Sequence, residues 1–243
     1  MKRQNLILLA TLAASLSSHA EYKIDKSEDF GGIALRSGKN DSVRRYTGSA
    51  SRTIPYPIAV VRKGITNFAD KCNNKLRSKR EFTPASYDCK YHHEQVVESF
   101  LETGIPQTAQ SESYLVGKKL YHLGNTRYYE LVEVRDGTNE KGQRTTSISQ
   151  RMLGDEEVTS LIKPKFKKSS DFDTRSVVYT LTETSPKETF LTYEYTAETD
   201  HWVLNKQLNV PQIFSSISKT IKEALTVIDK EASEQSRSVA SQY

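Results

Sequence analysis

Hydrophobic and polar positions change their period twice along this chain, and each change marks a new kind of structure. The run from Leu6 to Leu16 is apolar throughout, yet shorter than the roughly 20 residues that a membrane-crossing helix needs. Residues 21–45 hold Gly31-Gly32, Gly38 and scattered charges without a sustained period, and read as an irregular lead-in. From Tyr46 to Ile54 the chain has an extended look, which Pro55 and Pro57 end. Pro57 suits the first position of a helix, where its missing N–H has no partner to lose. Ile58, Val61, Ile65, Phe68 and Cys72 then recur at spacings of three and four, predicting an amphipathic helix to about Leu76. Val96, Val97, Phe100 and Leu101, followed by Gly104 and Pro106, read as a second and weaker helix, with a strand as the alternative.

From Ser113 onward the period is two. Segments 113–122, 127–135, 145–153, 156–162, 175–183 and 188–196 combine Tyr, Val, Thr or Ile with turn chemistry between them. Gly124-Asn125, Asp136-Gly137, Gly154-Asp155 and Ser185-Pro186 mark reversals. Connections this short join antiparallel neighbours, so the segments predict a meander. In the last of them Leu191, Tyr193 and Tyr195 share one face while Thr192, Glu194 and Thr196 share the other. Beyond Pro211 the period returns to that of a helix, with Phe214, Ile217, Ile221, Leu225 and Ile228 as an apolar stripe. Ser, Gln and Arg fill residues 233–243, which read as a disordered tail.

The first twenty residues add an address. Lys2 and Arg3 precede the apolar run, and Ser18 and Ala20 are the small residues that a signal peptidase needs before Glu21. A cleavable signal peptide with its cut after Ala20, and a periplasmic or secreted protein, are therefore expected. Loss of Lys2 and Arg3 with the leader lowers the formal charge from +5 to +3, too mild to point to nucleic acid. The apolar share is only 36%, but 13 Tyr and 8 Phe supply large half-polar surfaces that suit sheets. In an oxidising compartment the two cysteines, Cys72 and Cys89, are expected to form a disulfide that staples a charged connection.

The stretch from Thr189 to Tyr195, then Trp202-Val203-Leu204-Asn205-Lys206, Pro211 and the helix from Phe214, resembles the START-like or polyketide-cyclase-like superfamily. In element order the resemblance spans residues 46–232, taken as a single domain. It implies an α+β helix-grip fold: a curved antiparallel sheet of about seven strands wrapped on a long C-terminal helix, with one or two short helices after the first strand. It also implies a cavity between sheet and helix for a lipid or other hydrophobic small molecule. Tyr179, Tyr193, Tyr195 and Trp202 would form one wall, and Phe214, Ile217 and Ile221 the other. For Trp202, core packing is the first expectation and cavity lining the second.

Catalytic motifs are not evident. Cys72, Cys89, His92 and His93 could offer ligands to zinc, but a disulfide beside two solvent-facing imidazoles is the plainer reading, and no metal or cofactor is expected. His93-Glu94 begins like a metalloprotease motif, yet Val97 stands where its second His must be. Neither a Gly-x-Ser-x-Gly elbow nor a glycine-rich phosphate loop occurs. Glu156-Glu157 reads as a solvated face. Arg127, Glu130 and Glu133 matter only if they face a cavity, where a charge would hold a ligand's polar head. The basic clusters Lys75-Arg77-Lys79-Arg80 and Lys163-Lys165-Lys167-Lys168 read first as solubilising charge, and otherwise as contacts to an anionic membrane surface. The expectation is a monomeric exported binding protein rather than an enzyme. The alternatives are a hydrolase or cyclase that uses the same cavity, with a carboxylate or His201, and an envelope structural protein that docks through its basic loops.

Overall fold

The computed structural model of the chain describes residues 22–66, 96–102, 112–120, 126–164 and 167–240. Among these residues nine strands form one sheet: β1 (Lys23–Asp29), β2 (Ile33–Asn40), β3 (Val43–Ile54), β4 (Val96–Glu102), β5 (Glu112–Leu120), β6 (Thr126–Thr138), β7 (Arg144–Met152), β8 (Thr174–Ser185) and β9 (Glu188–Thr199). Their order is β1-β2-β3-β9-β8-β7-β6-β5-β4, with every neighbouring pair antiparallel. Among the described residues three α-helices accompany it: α1 (Ile58–Thr66), α2 (Asp155–Leu161) and α3 (Val210–Ala240). The α+β helix-grip class holds, with nine strands where about seven were expected.

The core lies between the inner face of the sheet and the helices α1 and α3. Strand alternation sends Leu35, Tyr46, Val132, Ile148, Leu181 and Tyr193 inward, where they meet Ile58, Val61 and Ile65 of α1 and Phe214, Ile217, Ile221 and Ile228 of α3. Each such side chain taken fully out of water stabilises the fold by about 1.5–3 kcal/mol. α3 runs beside β2, β3 and α1. Gly48 of β3 makes that seat possible, because a Cβ there would stand 2.8 Å from both Ile221 Cδ1 and Leu35 Cδ2. On the outer face a smaller cluster of Leu115, Tyr129, Leu153 and Val158 holds α2 against β5 and β6.

Four local expectations need correction. Residues 21–45 are not an irregular lead-in. Gly31 and Gly32, both at positive φ, turn β1 back onto β2, and Ile33, Leu35 and Ser37 alternate inward. β1 is nearly all exposed and owes its order to pairing, so its own residues show no period. Residues 96–102 form the alternative, a strand, as β-branched and aromatic residues paired with β5 favour. Residues 156–162 are not a strand: Gly154 opens a helix whose first turn holds Asp155, Glu156 and Glu157, all suited to its positive end, and Glu157 accepts the Gly154 N–H at 3.1 Å. The tail from 233 is helical to Ala240, because good helix formers extend an established helix at little cost.

The predicted reversal at Asp136-Gly137 lies within β6, and the turn falls at Asn139–Gln143 instead. There Asn139 Oδ1 accepts the N–H groups of Lys141 and Gln143, each at 3.0 Å. Pro186 and Lys187 do join β8 to β9, where Ser185 pairs with Glu188. The helix predicted to reach Leu76 is described as far as Thr66. The signal peptide, Cys72 with Cys89, and His92 with His93 lie outside the described residues.

Candidate functional site

Most inward positions of β6 to β9 are apolar, and the charged and amide exceptions, Glu130, Gln150 and Arg175, gather at one end. On β6 the inward series is Tyr128, Glu130, Val132 and Val134; on β7 it is Thr146, Ile148, Gln150 and Met152; on β8 it is Arg175, Val177, Tyr179 and Leu181. Register places Gln150 opposite both Val132 and Val177, with Tyr195 on the far side of Val177. Tyr128, Glu130, Gln150, Arg175, Tyr193 and Tyr195 thus form a polar set on the inner face, backed by the apolar positions farther along the same strands. Glu130 is 2% exposed and Gln150 5%.

Arg175 is the centre of this set. Its Nη1 donates to the Tyr128 hydroxyl at 2.5 Å, and its guanidinium stands 5.8 Å from the Tyr128 ring and 5.7 Å from that of Tyr195. Burial alone would lower its pKa, but the surrounding phenol oxygens and the Glu130 carboxylate raise it, so the cation persists. Burial likewise raises the phenols of Tyr128, Tyr193 and Tyr195 and keeps them neutral. Two donors have no protein partner, Arg175 Nε and Gln150 Nε2. Arg175 is half-buried at its inward position on β8.

A second polar assembly fixes the entry to α3. Arg44 of β3, buried beside it, donates from Nη1 to Asp25 Oδ2 at 2.5 Å, from Nη2 to Gln207 Oε1 at 2.9 Å and from Nε to the Asn205 carbonyl at 3.1 Å. Ser37 donates to the other oxygen of Asp25 at 2.5 Å. Tyr46 donates to the Leu204 carbonyl at 2.5 Å, and Asn205 donates to the Ser42 carbonyl. The β9–α3 connection is thereby tied to β1, β2 and β3 at once. Across the inner face, Arg62 of α1 pairs with Glu112 of β5 at 2.6 Å and lies 3.6 Å from Asp136 of β6, which holds α1 to the far side of the sheet.

Of the residues expected to line the cavity, Tyr179, Tyr193 and Tyr195 are buried on the inner face, with Tyr179 and Tyr193 edge to face at 5.1 Å. Phe214, Ile217 and Ile221 are buried on α3 in the same core. Trp202 is neither core nor wall. It is 68% exposed in the β9–α3 connection, with Lys206 Nζ over its ring at 4.6 Å and His201 beside it at 6.3 Å; the connection is anchored by Asn205 and Leu204, so the indole is left outside. His201 shares that place and lies on no strand. Of the three charges singled out on β6, Glu130 faces inward while Arg127 is exposed and Glu133 lies on the opposite face.

Arg175, Tyr128, Gln150 and Arg44 were missed. Parity could have found them, since each is a polar or half-polar residue at an inward position of a strand whose other inward residues are apolar. Among the described residues no three His, Cys, Asp or Glu side chains are placed to hold a metal ion, and no helix is long and apolar enough to cross a membrane.

An antiparallel sheet that returns to pair β3 with β9, and holds the last helix against its inner face, is the helix-grip arrangement. The chain has that fold. No protein-family model and no curated protein matches the sequence. Among solved structures the chain is similar to the STAR-related lipid transfer protein of Xanthomonas axonopodis (13% identity, covering 87% of this chain and 98% of that one, TM-score 0.46). It is also similar to human StAR-related lipid transfer protein 5 (13% identity, 89% and 88%, TM-score 0.46) and to human STARD10 (12% identity, 84% and 73%, TM-score 0.44).

Proposed function

We propose that this protein is an exported, monomeric binding protein that holds a lipid or other amphipathic molecule between the inner face of its sheet and α3. The observation that supports the reading is Arg175, a half-buried charge at an inward position of β8, bonded to Tyr128 within an otherwise largely apolar inner face. A guanidinium costs several kcal/mol to remove from water, and the polar head of a bound molecule is one partner that would offset that cost at Arg175. Binding energy would come chiefly from apolar area removed from water, at about 25 cal/mol per Å², with the polar set fixing orientation. The leader of residues 1–20 supports export. Exposed Trp202 and Leu208, with Lys206 between them in sequence, would give the molecule an apolar tip at a membrane surface where ligand is exchanged.

Native mass spectrometry of the mature protein purified from its own host tests this reading. A lipid-sized adduct, released by organic solvent, is the expected result. A protein that is apo when isolated and stays apo when lipids are offered overturns it.

A further inference from the structure

We propose that the outer face of the sheet, over β3, β9, β8 and β7, binds a neutral glycan. The lipid site proposed above lies on the inner face, so the two are independent. Over residues 47–53, 190–196, 176–182 and 145–151 there are sixteen outward positions, and twelve of them are Ser or Thr. Ser and Thr are only 49 of the 243 residues, so composition does not account for the gathering. Strand preference accounts for Thr but not for Ser. Register sets the hydroxyls in rows. Ser51, Thr192, Thr180 and Ser147 lie side by side across four strands, and Thr47, Thr196 and Ser176 across three. None of the sixteen is buried. Ser51 donates to Thr192 Oγ1 at 3.4 Å, and among the described residues the other hydroxyls of the face have no partner. Charged residues make up 27% of the chain, yet only Glu194 and Arg151 stand among the sixteen, and Arg151 is paired with Glu157 at 2.9 Å.

Each hydroxyl is one donor and two acceptors, and it rotates to suit its partner. A charged polymer would find no counter-charges along these rows. An apolar partner would strip water from the hydroxyls and return no hydrogen bond. A chain of sugars meets the face group for group, hydroxyl against hydroxyl. Phe190, 39% exposed, stands between Thr53 and Thr182 and offers its ring to the C–H face of a pyranose. Glu194, farther along β9 between Ser49 and Val178, offers a carboxylate to sugar hydroxyls in charge-assisted bonds. Roughly 14 Å separates the two along the strand, room for a short oligosaccharide. Strands twist relative to their neighbours, so the rows follow a curved ribbon that a single flexible chain can track and a crystal plane of sugar or ice cannot.

Isothermal titration of the mature protein with hexasaccharides tests the proposal: cellohexaose, laminarihexaose and chitohexaose are neutral, and hexagalacturonate is the anionic control. At least one neutral ligand should bind more tightly than the control, with an affinity that salt leaves unchanged because the sugar carries no charge. Thr180→Val combined with Thr192→Val should weaken it about fivefold or more, as the loss of two hydrogen bonds implies, while valine keeps the shape and strand preference of threonine. Phe190→Ala should weaken it by about as much. The wild-type preference stands whether or not a variant folds. Binding of none of the neutral ligands by folded protein overturns the proposal, as does a preference for hexagalacturonate or an affinity that the folded variants leave unchanged. Each of those results leaves the lipid-binding reading of the inner face intact.

Discussion

Replacing Gly48 with alanine should loosen the seat of α3 by a predictable amount. Its new Cβ would lie 2.8 Å from Ile221 Cδ1 and from Leu35 Cδ2, and 3.5 Å from Ile217 Cγ2. Relief of glycine's conformational cost within a strand favours the variant by about 0.5–1 kcal/mol. Overpacking a filled core costs about 1–3 kcal/mol. The atoms struck are side-chain ends, which can rotate, but both belong to fully buried residues and press from two sides. Overpacking therefore wins, with a net loss of about 1 kcal/mol and a fall in Tm of about 2–4 °C for a chain of this size. Urea unfolding at constant m gives the value directly. Ile221→Val removes the Cδ1 that clashes; alone it should cost about 0.5–1.5 kcal/mol, and in the Gly48→Ala background about 0.5 kcal/mol less or better. Gly48→Ala more stable than the parent, or Ile221→Val equally costly in both backgrounds, would show that α3 does not bear on Gly48.

Arg44→Met should destabilise by about 3 kcal/mol in urea, because it strands the partly buried Asp25 and frees the β9–α3 connection; a loss under about 0.5 kcal/mol, the level of an ordinary surface change, would mean the assembly holds nothing. Burial pushes the Asp25 carboxyl up, but hydrogen bonds from Ser37 and Arg44 outweigh it and hold the group below the usual carboxylate range. Its stabilisation is therefore present above the unfolded value of about pH 3.9 and lost as pH falls through the lower folded one; urea midpoints against pH should show this acid limb, shallower in Arg44→Met. Burial pushes the Tyr46 phenol up to about 12 and raises Tyr128, Tyr193 and Tyr195 as well. The unfolded chain then loses these protons first, so their contribution is full below about pH 10 and is lost as pH rises; phenolate absorbance near pH 11 should jump on unfolding, and a smooth titration of all tyrosines at about pH 10 would contradict their burial. Trp202, the only tryptophan, should emit at the water-exposed end of its range and be fully open to quenchers, while Trp202→Ala should change stability by less than about 0.5 kcal/mol.

Strand alternation made the meander legible because strands such as β7 and β9 bury one face, and short turns join β6 to β7 and β8 to β9. The closing helix was legible for the same reason, as its stripe of Phe214, Ile217, Ile221, Leu225 and Ile228 is the face that packs. β1 was not, because an exposed edge strand is ordered by its partner and carries no hydrophobic period. β6 illustrates a different obstacle: Tyr129 and Leu131 serve the outer cluster under α2 while Val132 and Val134 serve the core, so the sequence alone cannot say which way Glu130 points. Arg175 was passed over as one charge among many, although its parity with Val177, Tyr179 and Leu181 marks it as inward. Trp202 misled because size and apolarity suggest burial, whereas position in a tethered connection decided its exposure.

The pairing of residues 43–54 with residues 189–199 also governs when this protein can become folded. β3 and α1 appear early in the chain, yet β9 and α3, which complete the core around them, are its last elements. Contacts so distant in sequence are slow to form because the loop between them must close first. A partly made chain therefore has two hairpin-rich halves with bare edges on β3 and β8, and no finished interior. Such a chain stays pliable until α3 joins it. It is also open to strand exchange in that interval, so a holdase that covers those two edges would be its natural escort.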